Sequence, residues 1–493
     1  MKGGALGTAL VKGTLWSVSL RWVVKVLGIF STLVLARLLA PDDYGVMAMA
    51  MLFVSFIDTF FSVSSEAVLL RDPNASRELI DSAWTLKVLQ SAAVAVVVAC
   101  ISPLAALYFH DARVVPVMLV LCIGIAVSGL TSYGPLLARK DLDFGLEVRL
   151  AVIAKTLSVA VTIALAYWLR NYWALVIGTV FGYSIGCVLS YVLHPYRGRF
   201  TLMRFGEIWR FSQWMLVAGI GQFFVRKADE FFVGRLGSAS SLGLYSIAAD
   251  LGQTITMEVS APINRALLPV LAQINAASDR LREAMKKTLA ASNLLILPAG
   301  FGLAAVAEQA VAVLLGDKWM PAAPMLAVFS IAWALRYMNG PYYVILMIRG
   351  DSRTLGLANW AEAGLLVVLG LALLGYGVFG LVWARALTCI GSLVLWLGIG
   401  PSIGVSLRDF WTAVWRPLVG AIAMAALLRL LPQGVWIAPL FDLALRIALG
   451  GLFYSAWVVA SWMLLGRPDG LEARVIGALQ SRWRATAKPA DGD

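Results

Sequence analysis

The sequence is short of charge. Of its 493 residues only 14% are Asp, Glu, Lys or Arg and 60% are hydrophobic, where soluble domains carry roughly 25% charged residues. That balance excludes a soluble globular protein. Polar sequence in blocks is scarcer still. The longest break between apolar runs, about Tyr196 to Trp209, has the length of a connector, so no extramembrane catalytic domain fits. Cysteine is rare, and Cys100, Cys122, Cys187 and Cys389 each sit inside an apolar run without paired spacing. They read as small packing residues, not as disulfides or metal ligands. The histidines His110 and His194 lie in or beside loops and form no ligand spacing. No nucleophile elbow, phosphate loop or zinc signature occurs. No catalytic group, metal or cofactor is therefore expected.

What the chain has is apolar length. A bilayer span takes about 20 apolar residues, and fourteen runs of that kind can be marked between Thr14 and Leu465. The expected fold class is an all-α polytopic membrane protein of about fourteen transmembrane helices. The first run follows a lysine-bearing start without a small-residue cleavage site, so it reads as a retained helix and not as a removed signal.

The formal charge is +12, from 40 basic and 28 acidic residues. In a membrane protein this is first an anchoring charge, not a nucleic-acid footprint, because Lys and Arg collect on the cytoplasmic side. With the amino terminus inside, 23 basic residues fall on inner segments and only Arg113, Arg170 and Lys318 on outer loops. An even span count returns the carboxyl terminus to the cytoplasm. Fourteen basic residues remain within or bordering the spans.

A weak internal repeat accompanies the spans. Sliding the sequence by 198 residues lays Trp16 on Trp214, Arg37 on Arg235, Leu38 on Leu236, Gly45 on Gly243 and Ala50 on Ala248. Each copy marks the end of one span and the start of the next. The offset covers six spans, so both copies face the same way. Such a parallel repeat predicts two lobes about an axis along the membrane normal, with the substrate site between them. The predicted parts are an N-terminal lobe (1–195), a C-terminal lobe (196–404), a final helix pair (405–466) and a cytoplasmic tail (467–493).

Charge at mid-membrane is costly, at about 2.5–3.5 kcal/mol on the insertion scale, and so should face a cavity or a partner. Ser17, Arg21, Lys25, Gly28 and Thr32 recur on one face of the first span, and Ser55, Asp58, Thr59, Ser62 and Glu66 on one face of the second. The seventh span carries Gln222, Arg226, Asp229 and Glu230, and the eighth Ser246, Asp250, Thr254, Glu258 and Arg265. These four are the helices that open the two lobes. Single cations recur at Lys87, Lys155, Arg336 and Arg385. Around Arg336-Tyr337-Met338-Asn339-Gly340-Pro341-Tyr342 a broken helix is expected, because Pro removes a donor and Gly permits bending.

Plainer readings stand beside these. Arg226 and Glu230, four residues apart, could pair within one helix. Lys87 and Arg265 could snorkel to the surface. Arg37 and Arg235 read as helix-end anchors, Asp42 and Asp43 as helix-start caps. Trp168, Trp173, Trp319 and Trp411 read as an interface belt. Arg21 and Lys25 are different, since two like charges on one face have no carboxylate partner in their own helix and call for an anion.

The segment Leu35-Ala36-Arg37-Leu38-Leu39-Ala40-Pro41-Asp42-Asp43-Tyr44-Gly45 resembles the first inter-helix turn of bacterial polysaccharide exporters. These are the Wzx-type lipid-linked oligosaccharide flippases of the multidrug/oligosaccharidyl-lipid/polysaccharide (MOP) superfamily. Asp229-Glu230-Phe231-Phe232-Val233-Gly234-Arg235-Leu236 and Leu242-Gly243-Leu244-Tyr245 resemble that family's seventh helix and turn, and the stretch from Ala261 to Pro269 its eighth helix. The resemblance implies a V-shaped, two-lobed carrier in the bacterial inner membrane. Its cargo would be an undecaprenyl-pyrophosphate-linked oligosaccharide, an O-antigen or exopolysaccharide repeat unit, moved outward by alternating access. It also implies a cationic cavity, for which Arg21, Lys25, Lys87, Lys155, Arg226, Arg336 and Arg385 are the candidates. Proton or sodium coupling would fall to Asp58, Asp229, Asp250 or Glu258, and polysaccharide polymerase machinery would be a contact partner. The rivals are a multidrug-type cation antiporter on the same scaffold and a membrane polysaccharide polymerase, ligase or glycosyltransferase. The excess of embedded cations argues against the first, and the short outer loops against the second.

Overall fold

The structure, a computed structural model, describes residues 22–62, 65–72, 74–141, 143–272, 279–432 and 439–466. Among these the regular elements are helical throughout, without a strand. Helical backbone over residues 22–38 is α1. There follow α2 (Pro41–Phe61), α3 (Ser65–Arg71), α4 (Arg77–Phe109), α5 (Val114–Gly129), α6 (Gly134–Lys140), α7 (Phe144–Leu169), α8 (Trp173–Val192) and α9 (Phe205–Leu236). Then come α10 (Ala239–Ala272), α11 (Asp279–Ala305), α12 (Ala307–Leu314), α13 (Ala323–Tyr337), α14 (Gly340–Ile348), α15 (Ser352–Ala372), α16 (Gly377–Ile399), α17 (Leu407–Leu430) and α18 (Pro439–Leu464).

Ten spans among the described residues are long and apolar enough to cross a membrane, and eleven if α5 and α6, bent by 46°, make one broken span. The chain is thus an all-helical, multi-pass membrane protein. At 32 and 34 residues α9 and α10 have ample length but are not among the ten. They are two of the helices in which the sequence concentrates its charge.

The chain forms two compact units, Met1–Ser246 and Ile247–Asp493. In the first, α9 packs on α2 through interlocked rings: Phe56 lies 5.6 Å from Phe223 and 5.7 Å from Phe231, edge-on or tilted. Where α2 and α10 begin, the glycines marked by the repeat meet. A β-carbon on Gly45 would overlap the Ala239 carbonyl, and one on Gly243 would overlap the Pro41 carbonyl and lie 3.0 Å from the Gly45 nitrogen. The contact is reciprocal, because Ala239 stands 198 residues after Pro41 as Gly243 does after Gly45.

Loop polar groups are satisfied by side chains, as a backbone without ladder partners requires. The connector after α8 lies along the start of α4. Tyr196 Oη donates to Asp81 Oδ1 at 2.6 Å, the Thr201 amide to Thr85 Oγ1 at 3.0 Å and the Arg204 amide to Ser82 Oγ at 3.2 Å. The start of α2 is tied to the α4–α5 turn by Arg113, whose Nη1 and Nη2 reach Asp42 at 2.5 and 3.1 Å. Asp42 therefore makes an interhelical ion pair, whereas Asp43 caps α2 by accepting from the Ala40 amide at 2.9 Å. In the second unit the core forms around Leu289, Leu297, Tyr342, Phe410, Val414 and Met424. There Arg282 clamps α11 to Asp409 of α17 at 2.8 and 3.0 Å.

Two tryptophans of the expected belt, Trp168 and Trp411, are exposed, while Trp319 is wholly buried. It lies in a 3-10 turn over Asp317–Ala322, whose packing against its own unit outweighs the attraction of the interface. Cys122, Cys187 and Cys389 are buried and Cys100 is exposed.

Candidate functional site

In the first unit, polar positions from separate spans gather. Lys25 of α1 and Lys155 of α7 are both half-buried. The Lys155 Cε lies 4.0 Å from where a β-carbon of Gly28 would stand, and Gly28 is three residues beyond Lys25 on the same helix face. The two ammonium-bearing side chains thus approach the same turn of α1. Lys155 has no ion-pair or hydrogen-bond partner among the described residues. Behind it α7 and α8 are in close contact: Ser158 Oγ donates to the Gly178 carbonyl at 3.2 Å, and a β-carbon on Gly178 would strike Thr162.

Asp58 of α2 is exposed on the protein's own surface and is hydrogen-bonded to Gln90 of α4. Lys87 of α4 forms an ion pair with Glu66 of α3 at 3.7 Å, and its ammonium lies 5.1 Å from the centre of the Tyr133 ring. This partner accounts for Lys87 without snorkelling. Arg21 lies outside the described residues. On α9, Arg226 is exposed, Asp229 and Glu230 are buried, Tyr245 Oη donates to Asp229, and Lys227 forms an ion pair with Glu230. Asp250 is exposed and Glu258 half-buried on α10. Arg235 bonds the His110 ring at 2.8 Å and lies over Tyr108, the helix-end role expected of it.

The second unit holds a different constellation. Arg336, near the end of α13, donates through Nε and Nη2 to the two oxygens of Glu362 on α15 at 2.5 and 3.1 Å. Ser392 of α16 donates to the same carboxylate at 3.2 Å. The Trp333 ring centre lies 5.6 Å from the guanidinium carbons of both Arg336 and Arg385, and Arg385 is buried. Just beyond, the helix breaks where the sequence predicted: α13 stops at Tyr337 and α14 starts at Gly340, with Pro341 in its first turn. The freed Met338 carbonyl accepts from Asn293 Nδ2 at 3.4 Å. Asn293 Oδ1, both amide atoms of Asn339 and the Trp333 indole nitrogen are buried without a hydrogen-bond partner among the described residues.

Of the expected cations, then, Lys155 lies beside the α1 turn that follows Lys25 in one unit, and Arg336 and Arg385 flank one tryptophan in the other. Glu362 is the residue that the sequence reading missed. The signal was present: a lone carboxylate in the middle of an apolar run obeys the rule that singled out Arg336.

Outside the spans, the turn at Asp111 shows how these helices are pinned. Burial pushes its carboxyl up, but hydrogen bonds from the Arg113 side chain and amide outweigh this and hold it below the usual carboxylate range.

Residues 34–324 match the family described as polysaccharide biosynthesis protein. The chain is 23% identical over 422 residues to the lipopolysaccharide biosynthesis protein WzxC of Escherichia coli (strain K12), covering 83% of this chain and 84% of that one. It is 23% identical over 411 residues to the succinoglycan biosynthesis transport protein ExoT of Rhizobium meliloti (strain 1021), covering 81% of each. Among solved structures, the lipid II flippase MurJ in an inward closed conformation superposes with a TM-score of 0.74 at 12% identity, over 92% of this chain and 99% of that one. By name, ExoT is a transport protein and MurJ a flippase.

Proposed function

Because the chain belongs to the polysaccharide biosynthesis protein family, we propose that it is a flippase of the MOP superfamily for an undecaprenyl-pyrophosphate-linked oligosaccharide, an O-antigen or exopolysaccharide repeat unit. It works in the bacterial inner membrane by alternating access, with both termini in the cytoplasm. The fourteen spans form two six-helix lobes, 1–195 and 196–404, with a helix pair at 405–466 and a tail at 467–493. The repeat and the reciprocal Gly45–Gly243 contact support that layout.

One observation carries the reading: Lys155, at mid-helix and without a protein partner among the described residues, lies beside the turn that bears Lys25. An ammonium at that depth needs an anion or water, since lipid supplies neither. A pyrophosphate head meets this need; Arg21, Lys87 and Arg226 are further candidate cations of the first unit, and Arg336 and Arg385 are those of the second. The polyprenyl tail stays in lipid and gives no direction, being equally buried in both leaflets. Direction comes from charge: an inside-negative potential drives an anion outward, with a gain of about 2.3 kcal/mol per charge per 100 mV. Proton or sodium coupling through Asp58, Asp229, Asp250 or Glu258 adds to this. Of the two coupling candidates in the first unit, Asp58 is exposed and Asp229 buried, and handover to polymerase machinery follows release.

The test is Lys25→Ala with Lys155→Ala. Surface glycan should fall by about tenfold or more, the equivalent of losing roughly 1.4 kcal/mol of anion binding, at unchanged protein level in the membrane. Full export by the double variant would sink the anion-site reading.

A further inference from the structure

The connector between α8 and α9 has a chemistry that transport does not use. Its backbone is engaged by α4. The Arg199 amide donates to Asp81 Oδ1 at 3.3 Å, and its carbonyl accepts from Thr85 Oγ1 at 3.2 Å. The Thr201 amide donates to Thr85 Oγ1 at 3.0 Å, and the Arg197 carbonyl accepts from Arg77 Nη2 at 2.5 Å. A strip fastened by its main chain in this way is free to present its side chains outward. Phe200 is 71% exposed and Met203 74%, and Leu202 is exposed with them. The first turns of α9 continue the strip with Phe205 and Trp209, both exposed, their rings stacked with centres 6.1 Å apart.

Four arginines are interleaved with these apolar residues. Arg197 donates to the carbonyls of Tyr191, His194 and Tyr196, and Arg204 pairs with Glu207 at 2.6 Å. Arg199 and Arg210 differ. Both are exposed, and neither guanidinium has an ion-pair or hydrogen-bond partner among the described residues.

Exposed rings beside unmatched guanidiniums suit neither water nor hydrocarbon alone. Water disfavours the apolar side chains, and hydrocarbon disfavours the charges. The boundary of a bilayer accepts both, with aromatic residues at headgroup level and cationic heads reaching the polar side. The strip stands where that boundary is expected. It follows the apolar span α8, whose last turns expose Val188 and Val192. The anion such a boundary supplies is a lipid phosphate, whose oxygens a guanidinium fork binds two at a time. Basic residues near an anionic leaflet each strengthen attachment to it.

We propose that residues 197–210 form an interfacial platform for anionic phospholipid, with Arg199 and Arg210 holding headgroup phosphates while Phe200 and Met203 enter the acyl region. This surface stands apart from the pyrophosphate reading and does not depend on it.

The first arm of the test incubates the purified full chain with equal amounts of phosphatidylglycerol and phosphatidylcholine and reads the retained lipid by native mass spectrometry. The wild type should favour phosphatidylglycerol, and Arg199→Gln with Arg210→Gln should lower that preference about tenfold, the ratio equivalent to 1.4 kcal/mol. The control is Arg170→Gln with Lys318→Gln, which removes the same charge from two exposed residues elsewhere and should leave the preference as it was. No preference in the wild type, or an equal fall in the control, overturns the proposal. The second arm places a nitroxide at Met203→Cys in a Cys100→Ser background, since Cys100 is the exposed cysteine, in bilayer discs containing phosphatidylglycerol. The label should relax with oxygen, which dissolves in lipid, more than with a water-soluble nickel chelate. Ready access of the chelate would place the strip in water, fit for a soluble protein partner instead, and would overturn the proposal.

Discussion

Replacing Gly45 by alanine should force α2 away from α10, and replacing Gly243 should do the same from the opposite side. A β-carbon on Gly45 would overlap the Ala239 carbonyl and lie 2.8 Å from the Ala239 Cα, while one on Gly243 would lie 3.0 Å from both the Pro41 carbonyl carbon and the Gly45 nitrogen. Carbon atoms rest about 3.5–4.0 Å apart, so the helices must separate by roughly 1 Å, enough to forfeit roughly a quarter to a half of each neighbouring dispersion contact. Overpacking of this kind costs about 1–3 kcal/mol, and backbone on both sides of the contact places these sites toward the upper end. Relief of the glycine's own helix cost returns about 0.5–1 kcal/mol. The net expectation is a loss of about 2 kcal/mol for each variant. Because both side chains open the same crossing, the double variant should lose less than the sum, with a shortfall of about 1 kcal/mol. Unfolding of the purified protein in detergent measures all three. Gly356→Ala is the reference, since a β-carbon there meets nothing within 4 Å, and it should be neutral or slightly stabilising. Full additivity of the two losses, or a Gly45→Ala as harmless as Gly356→Ala, would refute the shared crossing.

Two further outcomes follow from the loops. Asp81, 4% exposed, accepts from Tyr196 Oη at 2.6 Å, Arg77 Nε at 3.1 Å and the Arg199 amide at 3.3 Å. Asp81→Ala should cost about 3–5 kcal/mol by stranding these donors. Asp81→Asn, which keeps one acceptor, should cost visibly less in the same unfolding assay, and equal losses would argue that the carboxylate bonds are not what holds the connector. At the α4–α5 turn, the depressed Asp111 carboxyl contributes stability that is present above the ordinary carboxylate pKa of about 4 and is lost as pH falls through the lower folded value. The unfolding midpoint should therefore drop on acidification below about pH 4. Asp111→Asn should flatten part of that acid limb, whereas an unchanged limb would assign it to other groups.

Much of the fold was legible because membrane spans announce themselves one at a time. The apolar runs, the broken helix at Gly340-Pro341 and the helix-end role of Arg235 all follow from residues within one segment or next to it. Of the candidate site, the cations were legible individually, since a charge in an apolar run is conspicuous wherever it stands. Their company was not. Lys155 beside the Lys25 turn, Lys87 on Glu66 and Arg336 on Glu362 are pairings between different helices, and no spacing rule within one helix reaches across them.

Composition and periodicity alone determined that this protein is a helical, multi-pass membrane protein. The cost of charge and unpaired backbone in lipid leaves few other ways to fold such a chain. The repeat alone picked out Gly45 and Gly243. Only the tertiary structure decided that these glycines touch each other, that Trp319 belongs to the interior, and that Arg336 is matched by a carboxylate while Lys155 has no partner among the described residues. The reason is physical. Burial in lipid acts on each segment separately, whereas the partner of a charge is set by which helix faces come together, and that is fixed by packing over the whole unit.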